Sequence, residues 1–148
     1  MLLLSACGST GSATSKAKPA PSSVGTYDSA SAIAAKLTAA HLGCASFQKA
    51  PFDVQIDGMP KAKDQKQCLV GDAADGTVNT AIAVYADRQT LQRALTAGTR
   101  AACDFGAKHL PYQVTGTNWD IGTAYNEILA RKVAAATGGV ESQPRPNC

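Results

Sequence analysis

The chain has 148 residues, of which 45% are hydrophobic, and this is enough apolar sequence for one domain with a buried core. The formal net charge is only +3 and aromatic residues make up 5%, so the composition argues against nucleic-acid binding, which needs clustered cations and stacking aromatics. No stretch approaches the ~20 consecutive apolar residues that span a bilayer, and we therefore expect no transmembrane helix.

The N-terminal stretch MLLLSAC ends in the pattern Leu4-Ser5-Ala6-Cys7. An aliphatic residue and two small residues before a cysteine resemble the lipobox of bacterial lipoproteins. The resemblance implies that Cys7 receives a diacylglyceryl group through its thiol and becomes the mature N-terminus after cleavage. Residues 1–6 would then be the remnant of a signal peptide, and we expect its charged and longer apolar parts to be encoded upstream of Met1.

Residues 7–28 predict a lipidated cysteine followed by a flexible tether. They are rich in Gly, Ser, Thr, Ala and Pro and show no apolar periodicity, so they cannot bury enough surface to offset the entropy of ordering. About 20 such residues reach on the order of 25 Å. Two acyl chains anchor a protein stably, whereas one binds reversibly. The sequence thus predicts a membrane contact through the lipid on Cys7, at the outer face of the cytoplasmic membrane.

Residues 29–148 are predicted to form a single exported domain, and its first element is a helix. Residues 30–42 follow the polar pair Asp28-Ser29, which suits an N-cap, and Gly43 stands where the helix would end. The apolar positions of this helix that recur on one face are Ile33, Leu37 and Ala40.

Strand patterns come next along the chain. Residues 52–57 alternate apolar and polar side chains between two prolines, which predicts a short edge strand at best. Residues 68–70 and 78–85 flank an Asp75-Gly76 turn and predict a β-hairpin. A second helix is predicted after Asp87, which suits its N-cap. Its apolar stripe comprises Leu91, Ala94, Leu95, Gly98 and Ala102.

The last third of the chain predicts a strand pair, a third helix and an extended tail. Residues 111–115 and 119–121 form the strand pair around Gly116-Thr117-Asn118, and residues 124–137 form a helix closed by Gly138-Gly139. The inward residues of this helix are predicted to be Ile128, Leu129, Val133 and Ala136. The element order predicts an α+β fold, with a mainly antiparallel sheet of about four to five short strands and three helices packed on one face.

Apart from Cys7, four cysteines are spread along the chain: Cys44, Cys68, Cys103 and Cys148. Their number is even and no C-x-x-C pair occurs, which favours two disulfides in an oxidising compartment over a zinc or redox site. Four cysteines permit three pairings. We favour Cys44 with Cys68, which would tie the first helix to the hairpin. Cys103 with Cys148 would then tie the tail to the second helix.

Motifs for catalysis or metal binding are missing from the sequence. The two histidines, His41 and His109, form no recognisable constellation, and the common hydrolase, zinc-protease and nucleotide-binding fingerprints do not occur. The acidic stretch 72–76 fits a hairpin turn better than a calcium loop, because the twelfth residue from Asp72 is Ala83 rather than Glu. We expect no enzymatic activity, cofactor or metal.

Asn118 and Trp119 form the one local feature that suggests a ligand or partner contact. A lone Trp can line a pocket, although packing of a sheet against a helix is its commoner role. The alanine richness, the paired cysteines and the strand Gly116-Thr117-Asn118-Trp119 resemble the small exported lipoproteins of actinomycetes and their phages.

The sequence favours a membrane-anchored, non-catalytic module that binds an unknown protein or envelope component and no nucleic acid. Two alternatives remain open at this point. One is a lipoprotein of a phage or prophage that excludes superinfecting phage. The other is a small secreted enzyme whose site is built from scattered Asp, Tyr and Thr residues.

Overall fold

The structure is a computed structural model that describes residues 24–44 and 56–143. The described residues form one antiparallel five-stranded sheet and three helices, which confirms the predicted α+β fold. The helices are α1 (Ala30–Ala39), α2 (Arg88–Asp104) and α3 (Glu127–Thr137). The strands are β1 (Asp64–Asp72), β2 (Gly76–Val84), β3 (Gln113–Thr115), β4 (Trp119–Gly122) and β5 (Val140–Ser142).

The sheet has the strand order β1-β2-β4-β3-β5. The predicted hairpin of β1 and β2 is confirmed, with pairing from Asp64 opposite Val84 to Asp72 opposite Gly76. Its turn is stabilised because the Asp72 carboxylate accepts hydrogen bonds from the backbone N–H groups of Ala74 and Asp75. Gly76 follows with a φ of 83°, a conformation that a residue without a Cβ adopts readily.

The helices cover both faces of the sheet, so the prediction of one helical face is wrong. In β2, Ile82 and Val84 face the main core with α1 and α3, whereas the intervening Ala83 joins a second cluster with α2. Successive side chains of a strand point to opposite faces, and the small Ala83 side chain lets α2 approach closely. The less aliphatic face of β2 is therefore also covered.

The end of α1 differs from the prediction in its capping residue. The helix stops at Ala39, and His41 takes the left-handed conformation with a φ of 60°, so that the Leu42 N–H reaches the Leu37 carbonyl at 2.9 Å. This is the bonding of a Schellman cap. Gly43, which was expected at the helix end, instead pairs with Val70 at the edge of β1.

The pairing with β1 brings the first predicted disulfide together. Cys44 and Cys68 are bonded with their Cα atoms 5.0 Å apart, and both side chains are buried. Of the two predicted disulfides, only this one is found within the described residues. Cys148 lies outside those residues, and its pairing with Cys103 stays a prediction.

The other predicted strands and the third helix are shifted at their ends. Of the predicted edge strand at 52–57, residues 52–55 lie outside the described residues and Asp57 lies in a turn. The tail residues 140–142, expected to be merely extended, form β5 and pair with β3. In α3, Ile128 is 59% exposed, because it lies about 140° around the helix axis from the buried Val133. The buried face of α3 comprises Leu129, Ala130, Val133 and Thr137.

Candidate functional site

Both residues that the sequence singles out, Asn118 and Trp119, lie inside the domain. Trp119 has no exposed surface, and its ring meets the Tyr27 ring edge-on with centroids 5.6 Å apart. Two glycines line the indole so closely that a Cβ at Gly116 would lie 1.9 Å from Nε1, and one at Gly139 would lie 2.6 Å from Cη2. Trp119 thus packs against its own chain rather than presenting a surface to a ligand.

Asn118 uses its whole amide group to hold the backbone of Tyr27. Its Oδ1 accepts from the Tyr27 N–H at 3.1 Å, and its Nδ2 donates to the Tyr27 carbonyl at 2.8 Å and to the Tyr85 carbonyl at 3.2 Å. The Tyr27 hydroxyl also donates to the carbonyl of Thr137 at 3.0 Å. Such a fully used amide gives both hydrogen-bond strength and a fixed geometry.

The neighbours of Asn118 hold the two residues at the start of the same segment. The Thr117 hydroxyl donates to the Val24 carbonyl at 2.7 Å, and the Trp119 indole N–H donates to the Gly25 carbonyl at 3.0 Å. We call Thr117, Asn118 and Trp119 the clamp, because together they fix residues 24–27 on the domain. These four residues were assigned to the tether from the sequence, but they are docked on the folded domain.

A cavity of about 260 Å³ lies beside the clamp, between α2 and the sheet. The helix α2 contributes four residues, which lie on one face because their spacing is i, i+3, i+4 and i+7: Arg88, Leu91, Gln92 and Leu95. The sheet contributes the directly opposed pair Thr115 and Val140, and the docked segment and the turn before β4 complete the wall. We call it the α2 cavity, and it is lined by Arg88, Leu91, Gln92, Leu95, Thr115, Val140, Val24, Gly116 and Thr117.

Three polar side chains of the α2 cavity have no partner among the described residues. They are the Arg88 guanidinium, the Gln92 amide and the Thr115 hydroxyl. Arg88 stands in the first turn of α2, where the helix dipole adds positive potential, and it directly follows the acidic N-cap residue Asp87. The carboxylate of the N-cap residue Asp87 accepts a hydrogen bond from the Thr90 N–H at 2.7 Å, and this hydrogen bond lowers the pKa of Asp87. Among the described residues that line the α2 cavity, Arg88 is the only charged one.

No family model, curated protein or solved structure matches this chain. Within the described ranges, no helix is long and apolar enough to cross a membrane. Across the same ranges, no group of three or more His, Cys, Asp or Glu side chains is placed to hold a metal ion.

A buried acid, Asp120, lies next to the α2 cavity on the face of the sheet that α2 covers. It pairs across strands with Ala83 on one side and with the cavity residue Thr115 on the other. Its Oδ1 is shielded from solvent and has no hydrogen-bond partner among the described residues, while its carboxyl group interacts with the Tyr85 hydroxyl. Burial raises the pKa of Asp120 to about 7 and raises that of Tyr85 above its usual range.

Sequence reasoning did not single out Asp120 among the acids of the chain. The alternation Trp119-Asp120-Ile121 carried a usable signal, because two large apolar residues on one face put the acid between them on the other. The signal indicates a buried acid only when α2 is known to cover the second face of the sheet. The assumption of a single helical face left Asp120 on a solvent-exposed surface.

The acidic hairpin turn, the other stretch considered from the sequence, pairs with a lysine of the same chain. The Lys132 ammonium lies 2.8 Å from Asp72 Oδ2 and also pairs with Asp75. The Lys132 hydrogen bond is the main cause that lowers the pKa of Asp72. Asn126 at the start of α3 donates to the Asp75 carbonyl at 3.0 Å. These contacts dock the turn on α3 and support the interpretation of residues 72–76 as a structural turn.

Proposed function

We propose that this protein is a membrane-anchored exported lipoprotein that acts as a non-catalytic binding module at the bacterial cell surface. The observation that carries the proposal is the clamp on residues 24–27, seventeen positions after Cys7. A tethered domain needs a defined point at which its leader joins the fold. The clamp supplies that point with hydrogen bonds from both side chain and backbone groups.

The chemistry of the clamp suits a segment that is held from one end. Hydrogen bonds to the Gly25 carbonyl come from the Trp119 indole and from the Thr117 backbone N–H, so loss of one bond leaves another. The Tyr27 side chain is partly buried against the core and anchors the segment by packing as well. A force on the tether is therefore shared by several hydrogen bonds and does not act on α1 alone.

The disulfide between Cys44 and Cys68 supports the export part of the proposal. Disulfides persist in oxidising compartments outside the cytoplasm and are rare inside it. This bond is buried and joins segments separated by 24 positions in sequence. The disulfide therefore favours an exported location for this protein.

The α2 cavity supports the binding part of the proposal. Ligand pockets are mostly apolar with a few polar groups that fix the orientation of the ligand. The α2 cavity combines aliphatic side chains with three polar groups that lack partners among the described residues. It lies beside α2, the helix on the opposite side of the sheet from the main core.

Metabolic labelling with an alkyne analogue of palmitate tests the anchor. The reading frame would be expressed in its source organism with its in-frame upstream codons, alongside the variants Cys7→Ser and Ser9→Ala. We expect label and sedimentation with membranes for the unmodified protein and for Ser9→Ala, and neither for Cys7→Ser. Absence of label from the unmodified protein, or its retention in Cys7→Ser, would refute the anchor.

A further inference from the structure

We propose that the α2 cavity binds a small organic anion with an apolar body, whose carboxylate pairs with Arg88 and whose hydrocarbon part lies against Leu91 and Leu95. This assignment deepens the binding role proposed above and rests on it. It does not require the lipid anchor, so the two can be tested separately.

The helical wall of the cavity separates a charged end from an apolar end. Arg88 and Gln92 lie at positions i and i+4, in the first turns of α2, and Leu95 lies at i+7. With a rise of 1.5 Å per residue, Arg88 and Leu95 are about 10 Å apart along the helix axis. A ligand along this wall would meet a guanidinium first and aliphatic side chains beyond it.

The charged side chain that lines the cavity favours an anion, although two acids lie outside the lining: Asp87 precedes Arg88, and Asp120 pairs across strands with Thr115. None of its lining residues is acidic, and the Arg88 guanidinium has neither an ion pair nor a hydrogen bond with any described residue. Arg presents a planar fork of donors that matches a carboxylate in two parallel hydrogen bonds. Gln92 and Thr115 add further hydrogen-bond donors to the lining of the cavity. A carboxylate would satisfy groups that the described fold leaves unpaired.

The size of the cavity limits the ligand to a small molecule. Its volume of about 260 Å³ is below the range typical of drug-sized pockets. At the ~30 Å³ that one water molecule occupies in the liquid, this volume holds on the order of ten non-hydrogen atoms. A medium-chain carboxylate fits this limit, whereas a whole phospholipid does not.

A second groove on α2 is less suited to an anion. It has a volume of about 320 Å³ and is lined by Arg93 and Arg100 on the outer side of the helix, together with Asp57. The Asp57 carboxylate would repel an anion there, and the Arg93 guanidinium already donates to the Thr90 hydroxyl at 3.3 Å. The groove also lacks leucine or valine side chains. Arg100 therefore provides a matched control for Arg88.

Calorimetric titration of the full chain carrying Cys7→Ser tests the inference without a lipid or detergent. The probes are octanoate and octanamide, which share an eight-carbon chain and differ in charge. We expect octanoate to bind about tenfold more tightly than octanamide, the magnitude of a charge-assisted hydrogen bond at a partly exposed site. Arg88→Gln should remove this preference, whereas Arg100→Gln should retain it.

Backbone amide chemical shifts, measured by NMR with the same protein and the same probes, locate the ligand. The largest changes are expected at Leu91, Leu95 and Thr115. The proposal is overturned by lack of octanoate binding, by equal affinity for both probes, by retention of the preference in Arg88→Gln, or by shift changes confined to the outer groove. Because Cys7 is replaced throughout, a negative result here leaves the anchor to its own labelling experiment.

Discussion

The two faces of the sheet are built differently. The face covered by α1 and α3 carries sixteen of the buried hydrophobic residues described, including Trp119 and the disulfide pair, whereas the face covered by α2 carries four. The α2 face also contains the buried Asp120 and the α2 cavity. Apolar burial dominates folding stability, so the stability of the domain is concentrated on the first face.

The difference indicates which part of this small domain opens most readily. Elements with few buried apolar contacts open locally at a lower free energy than the global unfolding, and binding regions are commonly drawn from them. Of the seventeen residues of α2, only Leu91 and Ala94 are buried. We therefore expect α2 to open locally at a lower free energy than the main core.

The largest expected effect is loss of the tryptophan on the α1/α3 face. Trp119→Ala removes a fully buried side chain that Gly116 and Gly139 closely surround, and we expect a loss of about 4 kcal/mol in the free energy of unfolding. Leu91→Ala on the α2 face should cost about 2 kcal/mol, because the cavity beside it already lowers its packing. Urea denaturation measures both, and equal losses would contradict the proposed asymmetry.

The next effect is loss of the disulfide on the same face. Replacing both Cys44 and Cys68 by Ala should lower the free energy of unfolding by about 3 kcal/mol, because a sequence separation of 24 closes a substantial loop in the unfolded chain. Denaturation of the unmodified protein with and without a reductant provides the matched comparison. A double variant as stable as the oxidised protein would show that this crosslink does not constrain the domain.

The pH dependence of stability should come from the α2 face. Asp120 releases its proton at a pH of about 7 in the folded protein and near 3.8 when unfolded. Unfolding therefore releases a proton between these values, so the contribution of Asp120 to stability is largest below pH 4, falls as the pH rises to about 7, and then levels off. We expect a fall of about 2 kcal/mol, less than the full linkage value because Asp120 as a whole residue is only partly buried.

The variant Asp120→Asn tests this assignment. It should flatten the stability profile between pH 4 and pH 7, while the rest of the profile is retained. The lowered pKa values of Asp72 and Asp87 act in the opposite direction and remove stability only as the pH falls below about 4. A profile of Asp120→Asn that still declines toward pH 7 would mean that another group titrates beneath α2.

The smallest expected effect is at the hairpin turn. Lys132→Met removes the ion pairs with Asp72 and Asp75, which are partly exposed, and we expect a loss below about 1 kcal/mol. The same change should raise the pKa of Asp72, which can be followed by NMR titration of its side-chain carbonyl. A loss as large as that of Leu91→Ala would place this turn among the main determinants of stability.

Local features of the fold could be read from the sequence because they depend on neighbouring residues. The N-cap at Asp87, the hairpin turn and the left-handed Gly138 all follow from side-chain hydrogen bonding or from the freedom of glycine. The disulfide of Cys44 and Cys68 also followed from the element order. Apart from the disulfide, which joins the segment after α1 to β1, the decisive interactions lie within or beside one element.

The features that escaped prediction depend on tertiary packing. The position of α2 on the second face requires a small residue at Ala83 and a neighbouring acid that tolerates burial, and neither signals a helix contact by itself. The clamp was missed because residues 24–27 have the composition of a linker, and their partner Asn118 lies more than ninety positions away. Long-range hydrogen bonds of this kind leave no local pattern.

Hydrogen–deuterium exchange on the full chain with Cys7→Ser tests the division between the two faces most directly. We predict that amides of α2 exchange through local opening well before those of α3, and that saturating octanoate slows exchange in α2 and β3 while octanamide at equal concentration has a much smaller effect. Equal protection of α2 and α3, or protection by octanoate that is absent from α2, would contradict the account.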